Sequence, residues 1–145
     1  MAKTSLLALA LLAGVPFGAS AADPAVVVAP VLDTGQTATG QRIVLPAHDA
    51  QLIVTRYTIQ PGASLAVHKH PYQRYGYVLS GELSVKVTEK GPDEGKTFDY
   101  KAGDFIVEVR DEWHFGTAVG PVPTVLLVID QVEAGHPAIT LMPKP

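Results

Sequence analysis

Residues 62–81 read GASLAVHKHPYQRYGYVLSG. The stretch is bounded by two turn signals, Pro61-Gly62 and Ser80-Gly81. Its second half, YGYVL at 75–79, has the aromatic and β-branched character of a strand. Its first half carries His68 and His70, one residue apart. Successive side chains of an extended chain point to opposite faces, so residues i and i+2 share one. Two imidazoles on one strand can meet a single cation, and imidazole suits Zn, Cu, Fe and Ni. Interior histidines of a β-protein can equally be satisfied by hydrogen bonds, so the pair alone leaves both readings open. A third ligand has to come from another strand, and His114, set between Trp113 and Phe115, offers one.

The surrounding chain repeats the strand and turn pattern. LIVTRYTI at 52–59 is β-branched and aromatic, and ELSVKVT at 82–88 alternates, with Leu83, Val85 and Val87 on one face. GPDEG at 91–95 is a hairpin tip, 97–100 its return strand and AGD at 102–104 a further turn. Short strands are expected at 105–109 and 113–118, and a long apolar one at 122–132. An arm at 22–45 is expected to hold one edge strand at 26–32 (VVVAPVL), interrupted by Pro30, and the tail at 133–145, with three prolines, is expected to be irregular. Beyond the N-terminal segment, no window shows a helical stripe. Short, evenly spaced strands with Gly and Pro turns define an all-β sandwich or barrel, a single domain at 46–132.

Composition narrows the function. The chain has 145 residues, 47% of them hydrophobic, enough to fill one core. A net charge of −3 gives no electrostatic reason to expect nucleic acid or an anionic membrane as partner. Cysteine is absent, which removes disulfides, thiolate ligands and cysteine nucleophiles. The first residues, MAKTSLLALALLAGVPFGASAA, have one early charge, Lys3, an apolar run and an A-x-A site at Ala19 and Ala21. That is the layout of a secretory signal peptide at 1–21, cleaved after Ala21, and it predicts a periplasmic or secreted protein with no membrane attachment after cleavage. No phosphate-cradling Gly loop, G-x-S-x-G elbow or HExxH helix is present.

The central stretch resembles the first motif of the cupins, G-(X)5-H-X-H-(X)3,4-E-(X)6-G, with Gly62, His68, His70 and Gly81 in register. Residues 103–118, GDFIVEVRDEWHFGTA, resemble the second motif, G-(X)5-P-X-G-(X)2-H-(X)3-N, through Gly103 and His114. There the proline position holds Val109, the glycine position Asp111 and the asparagine position Ala118. The likeness covers about residues 52–132 and is to small single-domain cupins of the kind bacteria export. It implies a cupin-like jelly-roll β-barrel enclosing a divalent transition metal (Fe, Zn, Mn, Ni or Cu), held by His68, His70 and His114. A homodimer formed through the arm and sheet edges is a further implication.

The family's glutamate ligand falls on Arg74, a permanent cation that cannot ligate a metal in this role. Three readings of Arg74 stand. It sits beside a three-histidine metal centre and grips a substrate carboxylate through its planar fork. Or its charge expels the metal and the pocket binds a small anion. Or it turns outward or pairs with a carboxylate such as Glu108 or Glu112 in a structural barrel. Trp113 and Phe115 are expected to shield the pocket wall, and His48 and His136 to be exposed and without function. The resemblance allows dioxygenase, isomerase or lyase chemistry on a small anionic molecule. The rival is a non-enzymatic module that captures a small ligand or a metal.

Overall fold

The computed structural model describes residues 26–88 and 94–143. The expected leader at 1–21, and 91–93 of the expected hairpin tip, lie outside these residues. Among the described residues there are nine strands: β1 (Ala50–Ile59), β2 (His68–Lys69), β3 (Arg74–Ser80), β4 (Glu82–Val87), β5 (Lys96–Lys101), β6 (Phe105–Val107), β7 (His114–Ala118), β8 (Thr124–Glu133) and β9 (Thr140–Leu141). The described residues contain no helix. They form two antiparallel sheets, a four-stranded one in the order β1-β8-β3-β6 and a five-stranded one in the order β5-β4-β7-β2-β9. This is the all-β jelly roll expected from the strand and turn pattern.

Alternation builds the core. β8 is buried at every second residue, so Leu126 and Val128 face inward while Leu127 and Ile129 face outward. Ile59, Val78, Leu83, Val85, Ile106 and Ala118 complete the cluster between the sheets. Each buried Val, Leu or Ile side chain among them contributes about 1.5–3 kcal/mol by leaving water. Gly81 makes the β3–β4 turn at φ 78°, and a Cβ there would lie 2.7 Å from the Pro123 carbonyl oxygen and from the Thr124 Cα. The turn therefore needs glycine both for its backbone and for its space.

Two expectations are corrected. Residues 26–32 form no strand: Val26, Val27, Val28, Val31 and Leu32 are exposed, and the arm's first pairing is the bridge between Gln36 and Arg42. Pro30 has no N–H to give a ladder. The tail is not wholly irregular either. β9 returns to pair with β2, Lys69 opposite Thr140 and His68 opposite Leu141, a contact between segments too distant in sequence for local patterning to reveal.

Candidate metal centre

The three histidines reach one point from two stretches of chain. β2 pairs with β7 so that His68 lies directly opposite His114. His70 follows on the same face, beyond the two-residue strand. The ring centroids form a near-equilateral triangle, His68 to His70 4.8 Å, His68 to His114 4.6 Å and His70 to His114 4.8 Å. All three residues are buried.

Each ring is fixed from behind by a backbone carbonyl. His68 Nδ1 lies 2.7 Å from Ala66 O, His70 Nδ1 3.0 Å from Ala138 O, and His114 Nδ1 2.9 Å from Glu112 O. A carbonyl oxygen only accepts, so each Nδ1 carries the proton and donates. The Nε2 atoms are then the ones left to face the centre, the orientation that second-shell hydrogen bonds impose on ligating histidines. The arm supports this frame. Gln41 donates from Nε2 to Arg110 O and to Glu112 Oε1, both at 2.8 Å, and accepts from Arg110 N at 2.8 Å, which ties down the loop that pins His114. Asp111 in that loop has φ 57°. This is the family's glycine position, and aspartate is among the few other residues that tolerate it.

Glu108 is the fourth member. Past the end of β6 its N–H donates to Arg74 O at 3.0 Å, extending the β3–β6 pairing by one residue. Strand alternation puts it on the inward face with Ile106. Its Oε2 lies 2.9 Å from His70 Nε2 and 3.1 Å from His114 Nε2, and those two nitrogens are 3.1 Å apart. The ligand atoms of His68, His70, Glu108 and His114 all lie within 4.8 Å of one another. Three imidazole nitrogens and one carboxylate oxygen form a donor set suited to a divalent transition metal. With Nδ1 protonated on every ring, acceptors face acceptors, and a positive charge among them, a proton or a metal ion, relieves the repulsion.

Electrostatics follow the burial. Burial lowers the His68 pKa to about 4, with the neighbouring His114 and His70 adding to the shift, against the opposing hydrogen bond to Ala66. Burial pushes the Glu108 carboxyl upward, but hydrogen bonds from His114 and His70, made once an Nε2 takes up a proton, outweigh this and hold it well below the usual carboxylate range.

Arg74 points inward and is 4% exposed. Burial works against its charge, but the hydrogen bonds it donates to Asp130 and the charges of Glu108 and Asp130 more than offset this and raise its pKa. Its partner is Asp130, which accepts from Nε at 2.5 Å and from Nη2 at 3.0 Å. Neither carboxylate named from the sequence takes this place: Glu108 faces the histidines, and Glu112 accepts from Thr39 and Gln41 in the arm. Tyr75 takes the opposite face of β3, beside Phe105. Trp113 and Phe115 do not line the cavity beside the histidines, a correction that follows from alternation. Trp113 sits instead under the Lys69 ammonium, 5.0 Å from the ring centre. His48 and His136 are exposed. The cavity, lined among others by Tyr57, Leu65, Arg74, Glu108 and Gly116, holds about 20 Å³.

Sequence reasoning named Glu108 only as a partner for Arg74 and did not name Asp130. Signals for both existed. Glu108 stands two residues after Ile106, and Asp130 continues the buried series Leu126, Val128.

The comparisons with known proteins agree with this fold. The family described as Cupin domain matches residues 55–130. No curated protein matches. Among solved structures, an oxalate decarboxylase from Lactobacillus farciminis in complex with formate is similar at 23% identity and TM-score 0.53, over 63% of this chain and 26% of that one. An oxalate decarboxylase from Bacillus subtilis, a protein with Mn(II) centres, is similar at 28% identity and TM-score 0.52, over 63% of this chain and 24% of that one. The polyketide cyclase RemF from Streptomyces resistomycificus is similar at 22% identity and TM-score 0.52, over 72% of this chain and 70% of that one. The chain thus spans about a quarter of the length of the two decarboxylases. With the family matched over more than half its length and the fold and histidine cluster in place, the chain belongs to the cupin domain family.

Proposed function

We propose that this protein is an exported single-domain cupin that binds one divalent transition metal through His68, His70, His114 and Glu108 and uses it on a small anionic molecule. The observation that carries the reading is the common orientation of the rings: three Nδ1–H groups are each given to a backbone carbonyl, which turns three Nε2 atoms toward one carboxylate. A bound divalent ion would supply Lewis acidity and open coordination positions. The chain's residues do the rest. The carbonyls of Ala66, Glu112 and Ala138 orient the rings, Glu108 supplies the one anionic donor, and the apolar wall of Leu65, Leu83 and Val85 keeps the site poor in water. The metal-bearing decarboxylase from Bacillus subtilis supports a small carboxylate as the ligand class, at 28% identity and over part of its length. Export to the periplasm or beyond rests on residues 1–21 alone.

The test is the metal content of the untagged protein after exposure to Mn(II), Fe(II), Ni(II), Cu(II) or Zn(II). About one ion per chain, lost in His68→Ala and in His114→Ala, supports the proposal. Protein that stays metal-free with all five ions contradicts it.

One observation favours a second reading, a metal-binding module without turnover. The cavity of about 20 Å³ accommodates a single water. A carboxylate substrate therefore has to displace part of the cavity wall. Small acids that bind the metal-loaded protein in calorimetry favour the enzyme. Metal binding with no uptake of oxalate, formate or larger acids favours the module.

A further inference from the structure

The inner face of the four-stranded sheet carries a row of three charged residues. Arg74 on β3 is the register partner of Asp130 on β8. On its other side, Glu108 donates its backbone N–H to Arg74 O at 3.0 Å, so it lies next to Arg74 as the continuation of β6. A guanidinium in the middle of this row has two carboxylates to choose from, and either suits a planar fork. It gives its fork to Asp130, Nε to Oδ1 at 2.5 Å and Nη2 to Oδ2 at 3.0 Å. Glu108 is left to the histidines, with Oε2 at 2.9 Å and 3.1 Å from two Nε2 atoms.

We propose that Asp130 is a positioning residue for the metal centre: by clamping the Arg74 guanidinium it keeps the Glu108 carboxylate available as the fourth ligand. This rests on the metal-binding reading above. Two physical effects operate. A carboxylate engaged by a guanidinium has fewer lone pairs to offer a cation, and an uncompensated guanidinium in the same cavity repels one. The Arg74–Asp130 pair is a closed unit without net charge, so it removes both. It also accounts for an arginine at the position where the family places a carboxylate: the anionic donor has moved one strand over, from β3 to the end of β6, and Asp130 neutralises what took its place.

The experiment is a titration of the full chain with Zn(II) and with Mn(II), comparing the parent, Asp130→Asn, and Arg74→Met combined with Asp130→Asn. The expected result is that Asp130→Asn weakens binding by about tenfold or more, the range seen when groups behind metal ligands are removed. Adding Arg74→Met should restore affinity to within about threefold of the parent, since no guanidinium remains to claim Glu108. A merely structural role for Asp130 would leave the double variant as weak as the single one. If Asp130→Asn does not fold, Asp130→Ser takes its place; it likewise removes the charge that clamps Arg74, and the same weakening is expected. The proposal is overturned if the folded single variant binds within threefold of the parent, or if the double variant shows no recovery. Metal binding by the parent with no effect of the variants overturns this inference alone; a parent that binds no metal overturns the metal-binding reading with it.

Discussion

Arg74 and Asp130 face each other as register partners on β3 and β8, and the guanidinium of one forks the carboxylate of the other inside the barrel. Both residues are less than 5% exposed. A buried pair of this kind stabilises little relative to an apolar pair of the same volume, but breaking it strands a charge. Arg74→Ala and Asp130→Ala are each expected to lower stability by about 3–5 kcal/mol in urea unfolding. Arg74→Met with Asp130→Leu is expected to recover most of that loss. A single variant within 1 kcal/mol of the parent, a threshold below any cost expected for a stranded buried charge, would show that the pair is not closed in solution.

Glu108 supplies the one anion of the proposed four-residue metal site. Glu108→Gln keeps the size and the hydrogen bond to Arg74 O but removes the charge. It is expected to weaken Zn(II) or Mn(II) binding by about 10–100-fold in calorimetric titration, with the fold intact by circular dichroism. Affinity equal to the parent would leave the three histidines as the whole site.

The metal-free protein should lose stability in mild acid through His68. Its pKa is lowered to about 4 by burial, against about 6.5 in an unfolded chain. Between those values the unfolded chain binds the extra proton, so stability rises with pH across the window. The contribution is complete above about pH 6.5 and lost as pH falls toward 4, amounting to about 3 kcal/mol. Glu108, held below the usual carboxylate range, adds a second loss at lower pH, as the medium falls through its folded pKa. Urea midpoints measured from pH 7 to pH 4 should decline steeply in the parent and less in His68→Asn. Equal slopes would place the His68 ring in water.

Gly81 is expected to resist substitution. Its φ of 78° and the 2.7 Å approach of a would-be Cβ to the Pro123 carbonyl oxygen make Gly81→Ala costly, by about 2 kcal/mol or more. A thermal midpoint unchanged from the parent would mean that the turn has another conformation.

Much of this was legible in the chain itself, for a local reason. Strands such as β4 and β8 announce themselves by alternation, and His68 and His70 share a face because i and i+2 always do. What escaped reading depends on contacts between distant segments. Asp130 becomes the partner of Arg74 only through the β3–β8 register, 56 residues away. Glu108 joins the histidine cluster only because β6 runs beside β3 and continues one residue past its end. The tail's return to β2 has no pattern of its own; two exposed residues, Thr140 and Leu141, make the pairing. The apolar arm misled because its composition favours a strand while the fold offers it no ladder.

The most direct measurement is anomalous diffraction from crystals of the protein grown with Mn(II) or Zn(II). One strong peak is expected inside the barrel, about 2.0–2.2 Å from the Nε2 atoms of His68, His70 and His114 and from a carboxylate oxygen of Glu108. Histidine rings turned apart with no peak between them, or a peak held only by surface carboxylates, would contradict the account.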